Sequence, residues 1–140
     1  MTALEHFEKL LEFETDCWDV HEDLKSGKPD YVILDVRSPE AYAAGHVPGA
    51  IHLPHGRIVE HNLAAFPAGA AFVVYCSGPH CNGADKAAVR LARLSRKVKK
   101  MLGGIAGWKW EGFELEENQG AAHAGDATTV HSAHSGPYRG

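Results

Sequence analysis

The sequence predicts an α/β domain with a mainly parallel sheet, and three observations lead there. "YVILDV" (Tyr31 to Val36) and "AFVVYC" (Ala71 to Cys76) are β-branched and apolar at consecutive positions, the pattern of strands covered on both faces. Helical periodicities stand between and after them, so strands and helices alternate. Glycine and proline punctuate most changes of period. At 140 residues, 44% of them hydrophobic, the chain is long enough for one domain with a real core.

The elements follow in order. Leu4 to Phe13 sets Leu4, Phe7, Leu10 and Leu11 on one face, which predicts a short amphipathic helix. Thr15 and Asp16 read as the cap of a second helix reaching about Ser26; Gly27 stops it and Pro29 keeps it from resuming. After the Tyr31–Val36 strand, "SPEAYAAG" is a capped helical turn, with Ser38 at the cap, Pro39 at the first helical position and Gly45 at the end. Ala50 to Leu53 predicts a short strand, and Arg57 to Ala65 a helix broken by Pro67 and Gly69. After the Ala71–Cys76 strand, Asn82 reads as an N-cap with Asp85 three residues on, and Ala84, Ala87, Ala88, Leu91 and Leu94 recur at helical spacing. "VKKML" is a short strand, and "GGIAGW" a loop into a last helix near Trp108 to Phe113. Residues 1–14 therefore form a helical extension, 15–116 the domain, and 117–140, without apolar periodicity, are expected to be a disordered tail.

Composition excludes several classes. No apolar run approaches the roughly 20 residues of a membrane helix, and the acidic N-terminus is wrong for a secretory signal, so a cytoplasmic protein without membrane contact is expected. With a pI near 6.2 and no aromatic–basic interleaving, nucleic acid is not an expected partner. Eight of the 18 acidic residues lie between Glu5 and Asp23, and seven of the 14 basic ones between Lys86 and Lys100. That basic block is either a solvated helix face or a field that draws small anions. Three cysteines in a chain this size point to chemistry rather than structural disulfides.

The chemistry concentrates in "YCSGPHCNGADKAA", Tyr75 to Ala88. A strand, a loop and a helix start in succession make an anion site, because loop amides converge and the helix dipole adds to them. Cys76 stands where the strand ends, and a thiol held there is expected to ionise below its ordinary value of about 8.5. The competing reading is a buried strand cysteine that merely packs. The turn chemistry of Ser77-Gly78-Pro79 and Asn82-Gly83 favours the functional one. A zinc site drawn from Cys17, Cys76, His80 and Cys81 matches no usual spacing, and His123, His131 and His134 lack a fixed geometry, so no metal is expected. A phosphatase loop needs an arginine five residues after its cysteine; here Cys81 stands there, which disfavours phosphoryl and arsenate chemistry.

"LDVRSPEAYAAGHVPGAIHLP" (Leu34 to Pro54), "VVYCSGPHCNGADKAA" (Val73 to Ala88) and "LGGIAGW" (Leu102 to Trp108) resemble the three signature blocks of a single-domain rhodanese, in order and at the right spacing. The resemblance runs from about Thr15 to Leu115. It implies a central five-stranded parallel sheet flanked by helices, a catalytic Cys76, and a substrate loop of Ser77, Gly78, Pro79, His80, Cys81, Asn82 and Gly83. Asp35, Arg37, Glu40 and His46 correspond to positions that brace the loops as a polar network. The loop departs from the common pattern in having Cys81 at the arginine position and about two extra residues, and is similar to a variant subgroup with Gly-Pro and a second cysteine.

The implied reaction is sulfur transfer. Cys76 would take the outer sulfur of a small sulfur-containing anion such as thiosulfate and hand it to cyanide, a thiol or a protein thiol, with no cofactor. Cys81 is then either a packing residue or a resolving thiol that also protects Cys76 from oxidation. His80 either assists the leaving group or points into water; His55 and Arg57 are weaker candidates for the rim. Cys17 is expected to be packed and inert. A non-catalytic redox or persulfide sensor, or a docking module, is the rival function.

Overall fold

The structure, a computed structural model, describes residues 1–27 and 29–117. The expectations for residues 118–140, with His123, His131 and His134, lie outside the described residues. Five strands form one sheet: β1 (Glu14–Asp16), β2 (Val32–Asp35), β3 (Ile51–His52), β4 (Ala71–Tyr75) and β5 (Lys97–Leu102). Their order is β1-β5-β4-β2-β3, and every pairing is parallel. The helices are α1 (Ala3–Phe13), α2 (Cys17–Lys25), α3 (Pro39–Ala44), α4 (Gly83–Arg93) and α5 (Gly104–Trp110).

Side-chain alternation along β2, β4 and β5 divides the core between the two faces of the sheet. Ile33, Val73, Tyr75 and Met101 meet Val20, Ile105 and Trp108 on the α2/α5 face. Leu34, Phe72, Val74 and Cys76 meet Ala84, Ala87, Leu91, Ile58 and Leu63 on the α4 face. Leu34, Leu91 and Trp108 are fully buried, so each layer has a closed hydrophobic centre.

Local rules explain most boundaries. Thr2 and Glu5 close a reciprocal capping box on α1. Asp16 accepts from the Asp19 amide at 2.9 Å, and Ser38 from the Ala41 amide at 3.2 Å with Pro39 behind it. α1 buries none of its residues; Leu4, Phe7 and Leu11 are exposed.

Three expectations are corrected. Arg57 to Ala65 is not one helix but follows two short 3-10 turns, His55–Arg57 and Glu60–Leu63. The β-branched pair Ile58-Val59 adopts extended backbone between them and drives Ile58 into the core. The last helix starts at Gly104 and ends at Trp110, earlier than Trp108 to Phe113. Glu14–Asp16 is a strand as well as the lead into α2, pairing Thr15 with Met101.

A polar relay ties the carboxyl ends of β2 and β4 to the segment after α3. The Val47 amide donates to the Tyr75 hydroxyl at 3.0 Å, and that hydroxyl donates to Asp35 Oδ2 at 2.6 Å. Arg37 grips the same carboxylate through Nε (3.0 Å) and Nη2 (2.7 Å), and Nη2 also donates to the Gly45 carbonyl at 2.7 Å. Asp35 is fully buried, so every partner removed leaves a desolvated group unpaired. Tyr75→Phe is therefore expected to cost about 1–3 kcal/mol, measured by urea unfolding, with the native circular dichroism retained.

Candidate active site

Cys76 follows directly on β4, at the carboxyl end of the central strand, where ligand sites of parallel sheets form. The loop that leaves it is pinned from behind. Ile105 and Ala106, in the first turn of α5, donate their amides to the carbonyls of Cys76 (3.0 Å) and Ser77 (2.9 Å). This needs Gly104, whose φ is +59°; a Cβ there would run into the Cys76 carbonyl oxygen and sit 2.8 Å from the Gly78 nitrogen. Farther along, Cys81 N–H donates to the Gly78 carbonyl at 3.0 Å, closing a turn with Pro79 at its second position. That turn brings Cys81 back toward Cys76.

The two sulfurs meet at Gly83, the first residue of α4. A Cβ on Gly83 would lie 2.8 Å from Cys76 Sγ, 3.5 Å from Cys81 Sγ and 3.5 Å from His55 Cδ2. Asn82 occupies the cap position, but its side chain makes no capping hydrogen bond. The Gly83 amide donates to Cys81 Sγ at 3.4 Å instead. The helix-end amide that the sequence directs to Cys76 thus serves its neighbour.

The electrostatics follow. Cys76 is 6% exposed, and burial pushes its thiol up, reinforced by the hydrogen bond and charge of Cys81; the Ser77 amide and hydroxyl pull the other way and lose. The partly exposed Cys81 is drawn down chiefly by the influence of Cys76, which outweighs the cost of burial, with the Gly83 and Ser77 amides and the charge of Lys86 adding to it. The expectation that Cys76 itself ionises below its ordinary value is therefore corrected. The two thiols shift one another in opposite directions, so they titrate as a pair.

Two openings reach these sulfurs. One, of about 520 Å³, is bordered by Arg37, Ser38, His55, Cys76, Cys81 and Gly83. The other, of about 280 Å³, lies between the loop and the β5–α5 junction, with Pro79, Cys81, Asp85, Lys100 and Gly104 on its wall and Cys76 again at its edge. A further recess of about 600 Å³ lies at the opposite, amino-terminal end of the strands, beside Phe13, Tyr31 and Lys97, and holds no cysteine.

The remaining expected residues divide. Ser77, Asn82 and Gly83 line the larger opening and Gly78 and Pro79 the smaller one, whereas His80 is exposed, curls over Gly78 and lines neither. His55 is the imidazole in the cleft, and its Nδ1 is buried without a hydrogen-bond partner. The signal for it was its place just after the "AIHLP" strand end. Asp35 and Arg37 form the expected network. His46 joins the bracing separately: buried, stacked on Tyr42 and bonded through Nδ1 to the Tyr42 carbonyl at 2.8 Å. Glu40 does not join; it is exposed in the first turn of α3, where a carboxylate suits the helix dipole.

Cys17 sits in the core of the opposite face, its thiol donating to the Leu102 and Gly104 carbonyls at 3.5 and 3.6 Å and pushed up to about 12, chiefly by burial. Cys17, Cys76, His80 and Cys81 are not gathered into one site. Among the described residues no group of three or more His, Cys, Asp or Glu side chains is arranged to hold a metal ion, and no helix is long and apolar enough to cross a membrane.

A pocket bordered by two free thiols at the carboxyl end of a central parallel strand, closed behind by a second helix, defines a cysteine-centred α/β domain. Residues 19–111 match the Rhodanese-like domain family, and the chain belongs to it. It is 36% identical over 95 residues, 67% of its own length, to the HTH-type transcriptional regulator Rv0324 of Mycobacterium tuberculosis, of which it spans 41%. It is 35% identical over 83 residues, 56% of its length, to the thiosulfate sulfurtransferase GlpE of Pseudomonas entomophila, of which it spans 70%. The crystal structure of the BH2092 protein from Bacillus halodurans superposes with a TM-score of 0.80 at 40% identity, covering 82% of this chain and 84% of that one.

Two outcomes are expected here. Gly83→Ala keeps the fold, since alanine is the better helix former by up to about 1 kcal/mol, but displaces Cys76 Sγ and suppresses its alkylation by iodoacetamide. Thiolate absorbance against pH gives a first step below the ordinary cysteine value and a later one above it. In Cys76→Ala the low step moves up, because the largest influence lowering Cys81 is gone; a wild-type titration at the ordinary value alone would contradict the pairing.

Proposed function

We propose that this chain is a rhodanese-type sulfurtransferase that moves sulfane sulfur from a thiosulfate-like anion to a thiophilic acceptor through a persulfide on Cys76. The observation that carries this reading is that Cys76 lines an opening between the end of β4 and the first residue of α4, with its Sγ against Gly83. The likeness to a thiosulfate sulfurtransferase supports the donor class. The step balances simply. Cys76 gives up its proton to solvent, and its thiolate attacks the outer sulfur of thiosulfate. The S–S bond of the donor breaks and sulfite leaves with its electron pair. The Ser77 amide and hydroxyl stabilise the persulfide anion. Cyanide, a small thiol or a protein thiol then takes the sulfane sulfur. Three free thiols suit a reducing compartment, and the cytoplasm is the setting we favour.

A second reading, a non-catalytic persulfide or redox sensor or a docking module, is favoured by the likeness to a transcriptional regulator over 67% of this chain. Turnover separates the two. With thiosulfate, cyanide and a reductant that keeps Cys76 and Cys81 as thiols, the wild-type chain is expected to form many thiocyanates per molecule. Cys76→Ala forms none above the uncatalysed background, whereas Cys17→Ala, altered on the far face of the sheet, continues to turn over. A wild-type chain that takes up one sulfur and never passes it on would be the sensor.

A further inference from the structure

A one-cysteine transfer leaves the second thiol without a task. We propose that Cys81 resolves the Cys76 persulfide, so that the domain releases sulfide and is returned to its dithiol state by a thiol or dithiol reductant; this rests on the sulfurtransferase reading of Cys76. Both sulfurs pack against the same glycine, at 2.8 and 3.5 Å from the position of its absent Cβ, and both border the two openings of the site. The Gly78–Cys81 turn holds the second thiol back toward the first. Burial differs in the useful direction. Cys76 is 6% exposed and suits a small donor, whereas Cys81 is partly exposed, where a bulkier thiol can approach. The Gly83 amide on Cys81 Sγ stabilises a thiolate there, as nucleophile in one half-reaction and as leaving group in the other. Ionisation supports the same division, since Cys81 is the more readily deprotonated of the two. Cys17 cannot compete, being buried beyond the sheet.

In the resolving step the Cys76 persulfide anion takes up a proton from solvent, and the Cys81 thiolate attacks its inner sulfur. A Cys76–Cys81 disulfide forms, the persulfide S–S bond breaks, and the outer sulfur leaves as hydrosulfide with the bonding pair and the persulfide proton. The sulfane sulfur is reduced, and the two cysteines supply the electrons. An external thiolate then attacks the partly exposed Cys81 sulfur, Cys76 leaves as a thiolate that takes up a proton, and a second thiol frees Cys81. The sum converts thiosulfate and two thiols into sulfite, hydrosulfide and one external disulfide.

The test uses the full chain, reduced, freed of reductant and given thiosulfate. Intact mass, sulfite and sulfide are followed together. The wild-type chain is expected to release sulfite and sulfide in equal amounts, about one of each per chain, and to end lighter by two hydrogens with Cys76 and Cys81 joined. Cys81→Ser is expected to release sulfite, gain the mass of one sulfur and release sulfide only once a thiol is added. A wild-type chain that keeps the added sulfur and releases no sulfide overturns the resolving role while sulfur transfer stands, and this arm decides without the variant. No sulfite and no mass change in the wild-type chain overturns both.

Discussion

The site depends on the close approach of α5 to the backbone of the sulfur loop. A trans peptide points its carbonyl and its N–H in opposite directions. Because the Ile105 amide takes the Cys76 carbonyl, the Ser77 N–H of that same peptide is turned toward the sulfur side. Gly104 makes this possible, since any side chain would collide with the carbonyl that must be held. Gly83 does the equivalent service in front: without a Cβ it lets a helix start within contact distance of both thiols. The sulfur loop is thus fixed between two helix N-termini rather than by its own side chains.

Held this way, the two thiols divide opposing demands. A carboxyl-end strand position gives Cys76 a defined place but buries it, and the desolvation of a thiolate outweighs the help of one amide and one hydroxyl. Cys81 keeps solvent access and gains the helix-end amide. The buried thiol is thus held up and its more accessible neighbour drawn down, within contact of the same glycine.

The long strands, the caps at Asp16 and Ser38, and the position of Cys76 were legible because each rests on local chemistry: β-branched runs, side-chain caps, a strand followed by turn residues. The rest depended on contacts between distant segments. β1 is three residues, Glu-Thr-Asp, with no apolar period; it is a strand because β5 offers a parallel partner. "GGIAG" reads as loop by composition, yet α5 begins inside it because the glycines allow contact with the sulfur loop. The choice between His80 and His55 was also non-local. His80 is nearer in sequence to the sulfur, but the turn carries it outward, and the end of β3 delivers His55 to the cleft. Asn82 has a capping side chain in the capping position, but the nearby sulfur of Cys81 takes the amide.

The absence of an arginine from the loop acquires a physical meaning in this setting. Arg37 borders the larger opening, but its guanidinium is committed to Asp35 and Gly45, and its side chain is 7% exposed. It cannot present a free fork to an incoming anion without breaking the relay that includes Tyr75 and Val47. A phosphoryl group, whose charge lies on three equatorial oxygens, asks for such a fork. Thiosulfate asks less of the protein. Its reacting atom is a polarisable sulfur, and its charge departs with sulfite, so a thiolate and a few oriented donors meet the need. A thiol in place of the loop arginine therefore weakens the case for oxyanion chemistry and sets a second sulfur beside the first.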